Sequence, residues 1–309
     1  TADTITLNCD KSDFILPTDN PWEAHNTLHA LYSKAYTPWE WHETLFDEAK
    51  SIGIDIFSSP FDSTAIDLLE ALNTPAYKIA SPEITDIALL SRVAQTKKPV
   101  ILSTGLAEYE DISLAVDTLR QNGCEQLVIL KCTTAYPTPF EECNLLTIPD
   151  ISQQFKCLSG LSDHTKGIVV PVASVALGAR VIEKHFVLDK SDESVDAFFS
   201  LDYTEFKEMV QASLVTLGWK ENFNGGGVNS KHDSNYCSSR SISKAVGMII
   251  HDIPSPYTSV VLPILEELVT NKTDKPVKLS DNRDLEPNET IPWIDLIRYK
   301  LNIYEDIKK

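Results

Sequence analysis

No two of the six cysteines (Cys9, Cys124, Cys132, Cys143, Cys157 and Cys237) are spaced as a CxxC pair. Neither a disulfide framework nor a thiolate zinc site is therefore indicated, and reduced thiols are expected. Basic charge is also scarce, with 27 Lys and Arg against 45 Asp and Glu and a formal net charge of −18. Phosphate backbones and anionic membranes are held by clusters of Lys and Arg, so neither nucleic acid nor a membrane is an expected partner. An anionic ligand would have to meet positive charge that is local. No apolar run approaches the ~20 residues that cross a bilayer. The opening TADTITLNCD has neither a basic nor an apolar signal region, and a soluble, cytoplasmic protein is the expectation. Finally, no GxGxxG follows any apolar run, which removes the usual phosphate turn of a doubly wound nucleotide-binding sheet.

What is present is enough to build a large core: 309 residues, 42% hydrophobic and 8% aromatic. Short apolar runs recur as DIFSSP (55–60), AYKIAS (76–81), KPVILSTG (98–105), EQLVILKCT (125–133), KCLSGLSDH (156–164) and ARVIEKHF (179–186). Amphipathic segments such as DSTAIDLLEALN, DIALLSRVAQT, EDISLAVDTLRQNG, IVVPVASVALGA and TEFKEMVQASLVTLG separate or follow them. Strand then helix, repeated, predicts an α/β protein with parallel strands covered by helices. A TIM (β/α)8-type barrel is favoured over an open sheet, and it is incomplete, because six βα units can be recognised and two are missing from the front. The barrel is expected over residues 1–220, a polar, glycine-rich linker over 221–240 and a tail over 241–309. Within the tail, SVVLPILEELV and the region of WIDLIRYKLNIY are expected as helices.

Catalytic groups of a parallel barrel lie at the carboxyl ends of its strands. His164 and His185 close the last two recognised strands, so their imidazoles could converge on one divalent cation and leave positions open for water and substrate. Alternatively each is an ordinary hydrogen-bonded residue at a strand end. Asp163 and Glu183 stand beside them as groups that could orient the rings. Ser103, Thr104 and Gly105 end a strand before a helix, which suits a phosphate and equally suits a plain turn. Lys78, Lys131 and Lys184 lie near the ends of strands expected to be buried, and they suggest either an anionic ligand or structural ion pairs. The tryptophans of TPWEWH are read as packing residues at a helix start.

Taken together, AYTPWEWH, FSSPFD, PAYKIAS, KPVILSTG, LKCTTAYPT, GLSDHTKG, VALGARVIEKHFVLDKS and VDAFFSLDYTEFKEMV resemble the pseudaminic acid synthases of the sialic acid synthase family, over roughly residues 1–220. The resemblance implies a transferase that forms a C–C bond by condensing phosphoenolpyruvate with an open-chain acetamido sugar, 2,4-diacetamido-2,4,6-trideoxy-altrose, and releases phosphate. It also implies a divalent metal, Mn²⁺ or Mg²⁺, held by His164 and His185. Carried over by motif, Ser103, Thr104, Lys131 and Ser162 become phosphoenolpyruvate contacts, and Tyr136, Asn144 and Asp196 become sugar-side groups, with Lys131 and Asp196 as the catalytic pair. KCTTAYPT and VDAFFSL favour the pseudaminic branch over relatives that make sialic or legionaminic acid, in which a GPDH-like segment follows EKHF.

The chain departs from the family pattern twice. It starts where an opening AExSxNH-like strand and an LKxQTY strand would already have ended, which agrees with the strand count. Its SSRSI (238–242) resembles the start of the antifreeze-like domain that completes a homodimer in the family, and there the match stops, leaving the homodimer open. Two other readings are a catalytically inactive barrel remnant and an aldolase-like barrel with Lys78 or Lys131 as a Schiff base.

Overall fold

The computed structural model describes residues 1–191 and 194–216, and beyond them only the backbone of short strands between 247 and 291. In chain order the main elements are α1 (Ala2–Ile5), α2 (Leu28–Ala35), α3 (His42–Ile52), β1 (Asp55–Ser58), α4 (Ser63–Ala71), β2 (Tyr77–Ile79), α5 (Ile87–Ala94) and β3 (Val100–Ser103). They continue with α6 (Tyr109–Gln121), β4 (Leu127–Cys132), α7 (Thr147–Phe155), β5 (Leu158–Asp163), α8 (Val169–Ala176), β6 (Val181–Phe186), α9 (Tyr203–Thr216), β7 (Gly247–Asp252) and β8 (Thr258–Pro263).

Helix starts follow from local capping. The Thr27 hydroxyl accepts from the Ala30 amide, and the Asp62 and Asp86 carboxylates accept from Ala65 and Leu89. Glu108 and Asp111 close a reciprocal capping box at the head of α6. At the other end of α3, Gly53 takes the left-handed conformation (φ 74°) that lets its amide reach back to the last turn.

Strands β2 to β6 pair in parallel and in sequence order. Each of the six predicted apolar runs holds one strand. Residues on the outer pleat of this sheet (Tyr77, Ile79, Val100, Leu102, Leu127, Ile129) pack with α4, α5, α6 and α7 through Ile66, Leu69, Leu89, Leu90, Leu119 and Phe155 in one buried cluster. The inner pleat carries a smaller apolar floor of Phe57, Ile101 and Leu130. Above that floor lie the polar ends of the strands, so a hydrophobic base positions a polar mouth.

Two strands from the C-terminal region join the same sheet: β7 runs parallel to β6, and β8 pairs antiparallel with β1, giving the order β1-β8-β7-β6-β5-β4-β3-β2. Among the described residues no ladder joins β1 to β2, so the barrel-type sheet stays incomplete. Thr258–Pro263 is a strand, whereas a helix was expected to begin there. Its β-branched Thr258, Val260 and Val261 suit a pleated ladder, and the sequence pattern could not reveal the distant partner β1. The expected linker at 221–240 and the helix near 293–304 lie outside the described residues. A second compact unit holds two short antiparallel ladders, Val269–Thr270 with Thr290–Ile291 and Val277–Lys278 with Asp284–Leu285. Among the described residues no helix is long and apolar enough to cross a membrane.

Strand β5 touches β6 so closely at Gly160 that a Cβ there would sit 2.2 Å from the Val181 carbonyl oxygen and 2.8 Å from Leu130 Cδ2. Because the obstruction is backbone, it cannot swing away. Gly160→Ala is therefore expected to cost roughly 2–3 kcal/mol of folding stability in urea denaturation. An unchanged midpoint would contradict this packing.

Candidate active site

The polar mouth is built on the ladder between β5 and β6. Ser162 stands opposite Glu183, and Asp163 opposite Lys184. Alternation sends these pairs to opposite faces. On the inner face the Ser162 hydroxyl donates to Glu183 Oε1 at 2.5 Å, and the Lys78 ammonium lies 3.4 Å from Glu183 Oε2. On the other face Lys184, with no solvent exposure, donates to Asp163 Oδ2 at 2.5 Å and to the Thr165 carbonyl. Burial holds Lys184 below the usual lysine range, while Asp163 pulls it back up. Lys184 is thus a structural ion pair rather than a ligand cation.

One step beyond these pairs come the histidines. The His164 and His185 rings, both buried, have centroids 5.4 Å apart. The Nδ1 of His164 lies 3.0 Å from the Thr133 carbonyl oxygen, and the Nδ1 of His185 lies 3.4 Å from Asp196 Oδ2. Tyr136 packs on His164 at 4.2 Å between centroids, and Phe199 packs on His185 at 4.7 Å. The strand end at β4 adds Cys132, whose thiol bonds both His164 and Ser81. Burial raises that thiol, but the facing His164, the two hydrogen bonds and Lys78 outweigh it and bring it down to about 7. His164 is displaced reciprocally: burial disfavours its charged form, yet Cys132 and the Thr133 carbonyl raise it above the ordinary imidazole range.

Of the residues singled out in the sequence, the structure gathers His164, His185, Tyr136, Asp196 and Ser162 at one place. The Ser103 hydroxyl is fully buried at the end of β3 and finds no hydrogen-bond partner. Thr104 turns its hydroxyl to the Leu130 carbonyl at 3.1 Å. Next to them Gly105 is required by close approach, because a Cβ would lie 2.2 Å from Thr134 Oγ1. Lys131 and Asn144 are placed differently. The Lys131 ammonium curls back to the Cys132 carbonyl (2.8 Å) and the Thr133 hydroxyl (2.6 Å), and the strand alternation puts it on the pleat opposite Cys132. Asn144 is exposed, with its amide donating to the Glu142 carbonyl. Trp39 and Trp41 are 42% and 43% exposed, covering the surface more than filling a core.

Several members of the site were missed in the sequence. Cys132 follows Lys131 in KCT, and only the pleat shows which of the two faces inward. Glu83, in the SPE turn after β2, is largely buried, with Oε2 lacking a hydrogen-bond partner. Trp22 comes from a stretch with no periodicity, and it reaches Tyr136 at 5.5 Å and Phe198 at 6.1 Å between centroids. An acid following a strand end was the available signal for Glu83; nothing local pointed to Trp22.

The profile of the NeuB family matches residues 1–217. The chain belongs to the NeuB family. It is 44% identical over 224 residues to the pseudaminic acid synthase of Helicobacter pylori, an alignment covering 72% of this chain and 65% of that protein. With the pseudaminic acid synthase of Campylobacter jejuni it shares 47% identity over 212 residues, 69% of this chain and 61% of the relative. This NeuB chain therefore spans about two thirds or less of the length of those curated relatives. Among solved structures, the N-acetylneuraminic acid (sialic acid) synthetase of Leptospira borgpetersenii superposes with a TM-score of 0.59 at 25% identity, covering 71% of this chain and 75% of that one. The region matched by the NeuB profile, residues 1–217, holds all six strands β1 to β6 and the histidine pair.

Burial pushes the Glu83 carboxyl up to about 7, against its own backbone amide and Lys78. A folded-state value above the ordinary 4.5 of a glutamate means that the folded protein holds an extra proton between those two pH values, so stability falls as pH rises through that window. Glu83→Gln removes the loss. The variant should match wild type near pH 4 and exceed it by up to about 3 kcal/mol at pH 8 in urea denaturation. Parallel pH profiles would contradict the burial of Glu83.

Proposed function

We propose that this NeuB chain is a phosphoenolpyruvate-dependent nonulosonic acid synthase of the pseudaminic branch. It joins C3 of phosphoenolpyruvate to the aldehyde carbon of open-chain 2,4-diacetamido-2,4,6-trideoxy-altrose, while water enters at C2 and phosphate leaves. The observation that carries the reading is the pair of buried imidazoles at adjacent strand ends, flanked by Tyr136 and Asp196, in a chain 44–47% identical to pseudaminic acid synthases.

The donor set suits an open divalent-cation site rather than a closed one. Among the described residues no group of three or more His, Cys, Asp or Glu side chains closes on a common point, so a closed structural site is not built here. Two imidazoles, one with its Nδ1 against the Thr133 carbonyl at 3.0 Å and the other with its Nδ1 3.4 Å from Asp196 Oδ2, fit an open site, with the rest of the coordination left to water and substrate oxygens. His164 and His185 would hold Mn²⁺ or Mg²⁺, which supplies Lewis acidity toward the sugar carbonyl.

The chain's own residues do the rest. The Asp196 carboxylate orients the His185 ring and offers an acceptor on the sugar side. Tyr136 and Phe199 wall the imidazoles with apolar surface and limit water. The unpartnered Ser103 hydroxyl and the inner-face Lys78 supply a donor and positive charge for an anionic co-substrate, and Ser162 is held by Glu183 within the same face. Lys131, bound to the Cys132 carbonyl and Thr133, positions the loop after β4 that carries Tyr136, a placement that favours support over direct proton transfer.

Phosphate release from phosphoenolpyruvate plus the altrose substrate is expected, to be abolished by EDTA and restored by Mn²⁺. His164→Ala and His185→Ala are each expected to lower it by roughly a hundredfold or more. A folded chain that releases no phosphate, or alanine variants that release it at the wild-type rate, would overturn the reading.

A further inference from the structure

The segment from 194 to 200 carries Asp196 and Phe199 to the histidines, and its far end is fastened to β6: Val187 donates to the Leu201 carbonyl at 2.9 Å and Leu201 to the His185 carbonyl at 2.9 Å. Among the described residues the backbone bonds within its middle are short-range: Ala197 N to Ser194 O at 3.2 Å, Phe199 N to Asp196 O at 3.4 Å and Ser200 N to Asp196 O at 3.2 Å. A turn of this kind holds its shape but not its position, since nothing within it fixes the distance from Asp196 to His185.

Trp22 supplies that second anchor. Its indole N–H donates to the Val195 carbonyl at 2.6 Å, across 173 residues of sequence and one residue before Asp196. The ring lies 5.5 Å from Tyr136 and 6.1 Å from Phe198, and Phe198 in turn lies 4.9 Å from Phe199. Tyr136 comes from the loop after β4 and touches His164; Phe199 comes from the loop after β6 and touches His185. One indole therefore ties both arms of the site together, with its donor on one arm and its ring against both. A tryptophan suits this task because it combines a large rigid apolar body with a single directional donor.

We propose that Trp22 is a positioning residue that clasps the 194–200 segment over the site and thereby sets Asp196 against the His185 ring. The role deepens the function proposed above, because Asp196 and His185 belong to that site. The clasp is made by the chain's own groups, the Trp22 indole and the Val195 carbonyl, so it can be read without turnover.

The test uses the whole chain without metal or substrate. It compares wild type with Trp22→Ala, Trp22→Phe, Asp196→Asn and, as a surface control, Trp41→Ala. The first readout is amide hydrogen exchange at Ala197, Phe199 and Ser200, and the second is the ring nitrogen shifts of His185. Trp22→Ala should speed exchange in the segment by roughly tenfold or more, while amides of β5 and β6 keep wild-type protection. Its His185 shifts should move toward those of Asp196→Asn. Trp22→Phe keeps the ring and removes the donor, so it should show an intermediate effect, and Trp41→Ala none. Asp196→Asn should move the His185 shifts without the exchange change of Trp22→Ala. Wild-type exchange and wild-type His185 shifts in a folded Trp22→Ala protein would overturn the clasp. So would faster exchange with His185 shifts unmoved, which would make Trp22 a loop anchor with no hold on Asp196. Failure of phosphate release with these results intact would remove the proposed function and leave the clasp standing.

Discussion

The register between β5 and β6 is the constraint on which the site depends. It is locked by buried polar pairs on both pleats: Asp163 against Lys184 on one face, and Ser162 against Glu183 and Lys78 on the other. Leaving one partner of a buried ion pair alone costs about 3–5 kcal/mol, whereas the intact pair adds little net stability. The pairs thus act through what they forbid. A one-residue slip would place Asp163 opposite Glu183 and turn Lys184 toward the wrong pleat. His164 and His185, the next residues outward, inherit that register, and their 5.4 Å separation follows from it.

Around this lock the charge and the apolar surface are sorted by pleat. The outer pleat buries aliphatic side chains against α4 to α7, which makes the strands read as continuous hydrophobic runs. The inner pleat is apolar only at its base and becomes polar toward the strand ends, where Lys78, Glu183, Ser162, Cys132 and the histidines meet. Tyr136, Phe198, Phe199 and Trp22 roof that polar end with aromatic surface. In a chain of net charge −18, the positive charge beneath this roof is local, supplied by Lys78 against Glu183, rather than a basic surface.

Much of this was legible in the sequence, because parallel strands with both faces covered leave an apolar signature that survives without a partner. The runs at 98–105 and 156–164 mark β3 and β5 to within a few residues, and histidines at two consecutive strand ends named the pair around which the candidate site is proposed. What escaped depended on pleat and on distance. Lys131 and Cys132 are adjacent, and only the ladder with β5 shows that the cysteine, rather than the lysine, shares a face with Ser162. Trp22 is 173 residues from Val195, and β8 finds β1 some two hundred residues away. Such contacts are set by closure of the whole sheet and leave no mark on local periodicity.

In the function proposed above, His164 and His185 hold one cation together. Equilibrium binding of Mn²⁺, followed by loss of the free-ion electron paramagnetic resonance signal, tests it most directly. One tight ion per chain is expected, lost in either single alanine variant. Binding that survives both substitutions, or two ions of which each variant loses one, would contradict it.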